Sequence, residues 1–229
     1  MDVKATKLGV IIVAGGVGNR MGAEVPKQFL EIGGKTILEY TLRAFLDKAL
    51  EVVVVLPCDQ HERWRDICTK RGLAGTHKVC SGGATRFESV KCGLAALGEC
   101  DLVAVHDGVR PLVSKEMIDR GVAVATETGA AIPIVEAVDS FRMFSEKGFE
   151  VIDRNRLRAV QTPQIFRADW LRRAYQTEPN PRFTDDATVV EEQLGITLGY
   201  YEGERCNLKI TTPDDLIIAE ALLSKKIKG

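Results

Sequence analysis

The chain has little of several things that commonly announce a function. It holds only three histidines, and its six cysteines (Cys58, Cys68, Cys80, Cys92, Cys100 and Cys206) are scattered without a C-x-x-C pair. That spacing excludes a zinc finger or ribbon and argues for reduced, mostly buried thiols rather than a disulfide scaffold. Net charge is −1 with a sequence pI near 6.3, so no basic surface for nucleic acid is implied. No apolar run approaches the ~20 residues a membrane helix needs, so no membrane contact is expected. The stretch Met1-Asp2-Val3-Lys4-Ala5-Thr6-Lys7 lacks the apolar core of a signal peptide, which sets the expectation of a cytoplasmic protein. No Ser-His-Asp or Cys-His arrangement stands out, so no covalent nucleophile is offered. Internal repeats and low-complexity tracts are absent.

What is present is an alternation of strands and helices. Strands are predicted at Leu8–Val13, Glu51–Leu56, Asp101–His106 and Gly129–Ile134, with a shorter one at Thr76–Cys80. Between them stand helix starts: Thr36 with Glu39, Thr85 with Glu88, and Ser114 ahead of Lys115. Thr212 followed by Pro213, Asp214 and Asp215 opens a last helix to about Leu223. Strands that are apolar throughout, alternating with helices, argue for an α/β fold with a mostly parallel sheet covered on both faces. Ligands of such sheets bind beyond the carboxyl ends of the strands.

One segment breaks the rhythm. Phe141–Phe144, the turn-like Ser145–Gly148 and Phe149–Ile152 read as a hairpin inside an irregular stretch from Glu136 to about Val160. An isolated hairpin is marginal in water, and Phe141, Met143, Phe144 and Phe149 need a surface. Either the hairpin covers its own domain or it reaches a partner subunit; a projecting arm is the reading adopted.

Three loops lie at expected strand ends. The first is Ala14-Gly15-Gly16-Val17-Gly18-Asn19-Arg20-Met21-Gly22, closed by Pro26-Lys27-Gln28-Phe29. It is neither a P-loop nor a dinucleotide fingerprint, but its glycines let backbone amides approach a polyphosphate that Arg20 and Lys27 would neutralise. The alternative is a tight turn with two solvated cations. The second, Gly82-Gly83-Ala84-Thr85-Arg86, runs into a helix whose Ser89 could read a base edge; the alternative is an ordinary capped start with a solvated Arg86. The third, His106-Asp107-Gly108-Val109-Arg110, places Asp107 as a metal or sugar-phosphate contact, or as a loop acid paired with Arg110. His106 reads as a hydrogen-bonded histidine rather than a base. Farther on, Arg154, Arg156 and Arg158 could bind a phosphate or form a basic edge strand. Thr184-Asp185-Asp186-Ala187 reads first as a helix cap, and Lys209 precedes the last helix. A set of cations with one carboxylate and no nucleophile fits phosphoryl-type transfer assisted by Mg²⁺.

In order, A-G-G-x-G-x-R-M-G, P-K-Q-F, G-G-A-T-R-x-x-S-V, H-D-x-x-R-P, D-R-N, T-P-Q, T-D-D-A and N-x-K-I-T-x-P-x-D-L run the length of the chain. This set resembles the 2-C-methyl-D-erythritol 4-phosphate cytidylyltransferase family. The resemblance implies one Rossmann-like nucleotidyltransferase domain over 1–229 and a homodimer joined by the arm at about 136–160. It implies CTP and a polyol phosphate as substrates, with Mg²⁺ as cofactor. Arg20, Lys27 and Lys209 would be catalytic, holding the triphosphate around the α-phosphorus. Ala14, Gly15, Gly16, Gly18, Gly83 and Ser89 would bind the nucleotide. Asp107, Arg110, Ser140, Arg154, Thr162 and Thr184 would serve the second substrate, Asp107 also touching the metal. Ser140 stands where the family often has threonine, and Gly108, where alanine is frequent, is expected only to add backbone freedom. A ribitol 5-phosphate cytidylyltransferase is the nearest alternative, set apart by Asp153-Arg154-Asn155. A nucleotide-binding module without turnover is the alternative of another class.

Overall fold

The computed structural model describes residues 6–15, 25–146 and 148–228. In chain order the first strands are β1 (Leu8–Val13), β2 (Glu31–Ile32), β3 (Lys35–Thr36), β4 (Glu51–Leu56), β5 (Lys78–Ser81) and β6 (Leu102–Asp107). They are followed by β7 (Ala130–Glu136), β8 (Phe141–Ser145), β9 (Gly148–Ile152), β10 (Arg158–Val160), β11 (Gln164–Arg167) and β12 (Gly199–Glu202). The helices are α1 (Ile37–Leu46), α2 (His61–Lys70), α3 (Arg86–Ala96), α4 (Lys115–Thr128), α5 (Ala168–Ala174), α6 (Asp186–Leu194) and α7 (Pro213–Lys228).

Eight strands form one sheet in the order β10-β7-β11-β6-β1-β4-β5, with β12 also paired to β7. β1 runs parallel to β4 and β6, β4 to β5, and β12 to β7. The expected Rossmann-like, mostly parallel architecture is therefore present. Two strands depart from it: β11 is antiparallel to β6 and β7, and β10 is antiparallel to β7. Both come directly off the returning arm, so no crossover helix turns the chain round before them.

The reason for the continuous apolar runs is burial on both faces. Alternate residues point to opposite sides of a strand. Val10, Ile12, Val52, Val54 and Ala104 meet Leu42 and Phe45 of α1, Trp64 of α2 and Met117 of α4. Ile11, Val53, Val55, Val103 and Val105 meet Val90 and Leu94 of α3, Leu171 of α5 and Val190 of α6. Each such fully buried aliphatic side chain contributes about 1.5–3 kcal/mol. A smaller cluster of Ile32, Val109, Leu112, Ile210 and Leu223 seats α7 beside the loop after β6.

The capping signals act as written. Thr36 accepts from the amide of Glu39, Ser114 from that of Met117, and Thr85 with Glu88 makes a reciprocal capping box. α6 is capped by Asp185, one residue after Thr184, and α7 continues past the expected Leu223. The hairpin β8–β9 pairs only with itself, from Phe141 opposite Ile152 to Ser145 opposite Gly148. Gly148 sits at φ 107°, in the region that favours glycine. The rings of Phe144 and Phe149 meet at a tilt, centroids 5.3 Å apart, yet stay 76% and 69% exposed. The arm does not cover its own domain.

Candidate active site

The loops that leave the carboxyl ends of β1, β5 and β6 enclose a cleft of about 250 Å³. Ala14 and Gly15 come from the exit of β1, and Lys27 and Gln28 from a single turn over Lys27–Phe29. Gly83, Thr85, Arg86 and Ser89 come from the start of α3, with Asp107 from β6 and Lys209 from the segment before α7. A larger hollow of about 490 Å³ beside Asp101, Arg167 and Arg172 lies at the amino end of β6, where this topology does not place ligands.

Local chemistry fixes the walls. The Ala14 amide donates to Val55 O at 2.9 Å, and Gln28 Nε2 donates to Ala14 O at 2.9 Å. The exit of β1 is thereby tied to its neighbouring strand and to the turn that carries Lys27. Gly108 donates to Val13 O at 2.8 Å, and a Cβ built on it would stand 2.7 Å from Ala14 Cβ. Gly108 is thus a close-approach position, a correction to the expectation that it only adds freedom. On the opposite wall Ser89 Oγ donates to Thr85 O at 2.9 Å and accepts the Gly83 amide at 3.3 Å. The capping box directs the positive end of α3 into the cleft.

Asp107 lies on the floor. Its Oδ2 receives Arg110 Nε at 3.0 Å and Lys209 Nζ at 3.2 Å, while Arg86 Nε stands 3.8 Å from Oδ1. Burial alone would raise its pKa; the cations Arg86, Lys209 and Arg110 outweigh that and hold the carboxyl well below the usual range. Both readings of Asp107 are therefore compatible with the structure, since it pairs with Arg110 and still faces the cleft. Arg110 also donates through Nη1 to Asn207 O at 2.9 Å, and the Ile210 amide donates to Val109 O at 2.9 Å. These bonds hold the Lys209 segment against the loop after β6.

Beneath the floor, His106 is fully buried with both ring nitrogens engaged. Nε2 lies 3.1 Å from Arg110 O, a carbonyl, so Nε2 carries the proton. Nδ1 then accepts from the Thr162 hydroxyl at 3.0 Å, which in turn accepts the Asp107 amide at 3.1 Å. Burial pushes the His106 pKa down to about 4. As expected, it is a hydrogen-bonded neutral histidine.

Of the expected residues, Ala14, Gly15, Lys27, Gly83, Ser89, Asp107 and Lys209 line this cleft, and Arg110 and Thr162 bond to Asp107. Gly16, Gly18 and Arg20 lie outside the described residues. Ser140 and Arg154 sit on the arm, exposed, with Arg154 Nη1 donating to Val138 O at 2.8 Å. Thr184 is exposed beside the α6 cap and does not line the cleft. Arg158, read as a phosphate ligand or edge charge, faces Glu136 on β7 at 3.9 Å.

Sequence reasoning missed Arg86, Gln28 and Asn207. Arg86, given as solvated in one reading, is instead paired through both Nη atoms with Asp186. A cation in the first turn opposes the helix dipole and calls for an acid partner, but nothing local in the sequence says which. Asn207 is buried and donates to Thr162 O at 2.9 Å, linking the Lys209 segment to the residue under Asp107.

Among the described residues no group of three or more His, Cys, Asp or Glu side chains could hold a metal ion. Of the described residues, Asp107 alone offers a carboxylate on the cleft floor, the kind of oxygen donor that suits a Mg²⁺ arriving on phosphates. No helix among the described residues is long and apolar enough to cross a membrane.

The profile of the 2-C-methyl-D-erythritol 4-phosphate cytidylyltransferase family matches residues 8–225. The protein of that name from Bacteroides fragilis is 49% identical over 215 residues, covering 93% of this chain and 98% of its own length. Its counterpart from Bacteroides thetaiotaomicron is 48% identical over 219 residues, covering 95% and 100%. Among solved structures, the 2-C-methyl-D-erythritol 4-phosphate cytidylyltransferase from Thermus thermophilus matches with TM-score 0.75 at 35% identity over 93% of this chain and 98% of that one. The 4-diphosphocytidyl-2C-methyl-D-erythritol synthase from Anaerococcus prevotii matches with TM-score 0.81 at 28% identity, over 96% and 99%.

Proposed function

The chain belongs to the 2-C-methyl-D-erythritol 4-phosphate cytidylyltransferase family, and on that premise we propose how its cleft divides the work. It is a cytidylyltransferase of isoprenoid biosynthesis, joining CTP and 2-C-methyl-D-erythritol 4-phosphate into 4-diphosphocytidyl-2-C-methyl-D-erythritol with release of pyrophosphate. The observation that carries the site assignment is the convergence of Lys27, Lys209, Ala14, Gly83, Ser89 and Asp107 on one cleft at the strand ends.

In this reading cytidine lies against Ala14, Gly15, Gly16, Gly18, Gly83 and Ser89. Lys27 and Lys209, with Arg20, hold the triphosphate. An oxygen of the substrate's 4-phosphate attacks the α-phosphorus, the bond from that phosphorus to the bridging oxygen breaks, and pyrophosphate departs with the electron pair. The nucleophile is already anionic, so no general base is required; a neutral His106 with both nitrogens occupied agrees with this. The lysines act by neutralising charge as the five-coordinate phosphorus forms. Asp107 would orient the polyol and contact Mg²⁺, which would supply charge neutralisation for the departing pyrophosphate.

The chain would act as one domain, in the cytoplasm, as a homodimer whose arm at about 136–160 brings Ser140 and Arg154, with Thr184, to the second substrate. The exposed Phe144, Phe149 and Val151 support a covered arm. The test is a comparison of turnover and CTP affinity in Lys27→Ala and Lys209→Ala. Turnover should fall far more than affinity; equal losses in both would fit a module that binds without transferring.

A further inference from the structure

The T-D-D-A segment reads in sequence as a helix cap, and only its first acid does that. Asp185 caps α6 by accepting the Thr188 amide at 2.9 Å. Asp186, fully buried, looks the other way. Arg86 Nη1 donates to Asp186 Oδ1 at 2.9 Å and Nη2 to Oδ2 at 2.6 Å, across 100 positions of sequence. The Tyr175 hydroxyl donates to the same Oδ1 at 2.6 Å, with its ring stacked on Phe87 at 4.6 Å. Every oxygen of this buried carboxylate is engaged, so the fork is held in one orientation.

That orientation decides what Arg86 offers to the cleft. A guanidinium with two free Nη groups at the edge of a triphosphate site would bind phosphate oxygens bidentately. Here each Nη gives one N–H to Asp186, which fixes the plane of the guanidinium, and Nε stands 3.8 Å from Asp107 Oδ1. Along the floor the charges alternate: Lys209, Asp107, Arg86, Asp186. If the triphosphate draws Lys209 away from Asp107, Arg86 and Arg110 still hold that carboxylate charged and in place.

We propose that Asp186 is a positioning residue for the second substrate: by gripping Arg86 through both Nη groups it holds that cation beside Asp107 and keeps it from swinging toward the phosphates of CTP. This rests on the reading that Asp107 serves the polyol phosphate. Tyr175 supports Asp186 in the same role.

The experiment uses the full chain with CTP, 2-C-methyl-D-erythritol 4-phosphate and Mg²⁺. For Asp186→Asn, kcat/KM for the polyol phosphate should fall by about 10- to 100-fold, the scale of one charge-assisted contact. CTP affinity, measured by calorimetry without the second substrate, should hold or tighten, because Arg86 is released toward the phosphates. A purely structural role would lower both together. Tyr175→Phe, which keeps the ring stack, should shift the same ratio in the same direction by less. In a double-mutant cycle, Arg86→Met with Asp186→Leu should lose no more than Arg86→Met alone. Losses that multiply, or an unchanged polyol kcat/KM in both Asp186→Asn and Tyr175→Phe, would overturn the proposal. Wild-type turnover beside unchanged variants sinks this inference alone; no wild-type turnover sinks the functional reading beneath it.

Discussion

Replacing Thr162 by valine keeps the shape of the side chain and removes one oxygen. That oxygen accepts the Asp107 amide at 3.1 Å and faces His106 Nδ1 at 3.0 Å, all three residues being buried. The variant therefore strands a backbone donor and a ring acceptor at once. Each unsatisfied buried group costs about 1–3 kcal/mol, so Thr162→Val should destabilise the chain by roughly 2–5 kcal/mol. At about 2–4 °C per kcal/mol for a domain of this size, Tm should fall by roughly 4–20 °C. Because the lost bond anchors the backbone under Asp107, polyol kcat/KM should fall at temperatures where the variant is still folded. Thermal unfolding by circular dichroism beside steady-state kinetics measures both. A Tm within about 2 °C of the parent would refute the reasoning, since two buried groups cannot lose partners at so small a cost.

Other perturbations test separate parts. The folded His106 titrates near 4 and an unfolded histidine near 6.5, so the unfolded chain takes up the proton first. Stability should be full above pH 6.5 and decline as pH falls toward 4, by roughly 3 kcal/mol from this residue, with urea unfolding of His106→Gln showing a shallower decline. Asp107, depressed in the fold, removes further stability as pH drops below the usual carboxylate range, in the same direction. Gln28→Glu replaces the donor to Ala14 O with a carboxyl group that can donate this bond only when protonated. CTP KM of that variant should improve from pH 8 to pH 6 relative to the parent; a ratio flat with pH would show that the bond does not shape the loop. On the arm, Phe144→Asp with Phe149→Asp should yield monomers in light scattering while Tm of the sheet domain changes little; a variant that stays dimeric would remove the arm from the interface.

Much of the fold was legible because burial leaves a plain mark. Val52–Leu56 is apolar throughout for the reason found in the structure, helices on both sides. The caps at Thr36, Thr85 and Ser114 were equally plain, since a cap is a local bond between near neighbours. β10 and β11 were not legible: three and four residues long, they carry too little pattern to show a period. Within the site, Gly15 and Lys27 stood out because glycine turns and cations suggest phosphate chemistry, whereas Lys209, a lone lysine in sequence, stood out only through the family resemblance; all three line the cleft. Arg86 with Asp186, and Thr162 with His106, were hidden for one reason. Their partners lie 100 and 56 positions apart, and no local spacing encodes such a bond.

The most direct measurement is pyrophosphate release by the purified chain with CTP and Mg²⁺, comparing 2-C-methyl-D-erythritol 4-phosphate with ribitol 5-phosphate. The account predicts rapid release with the former and little with the latter. Preference for ribitol 5-phosphate, or no release with either while CTP still binds, would contradict it.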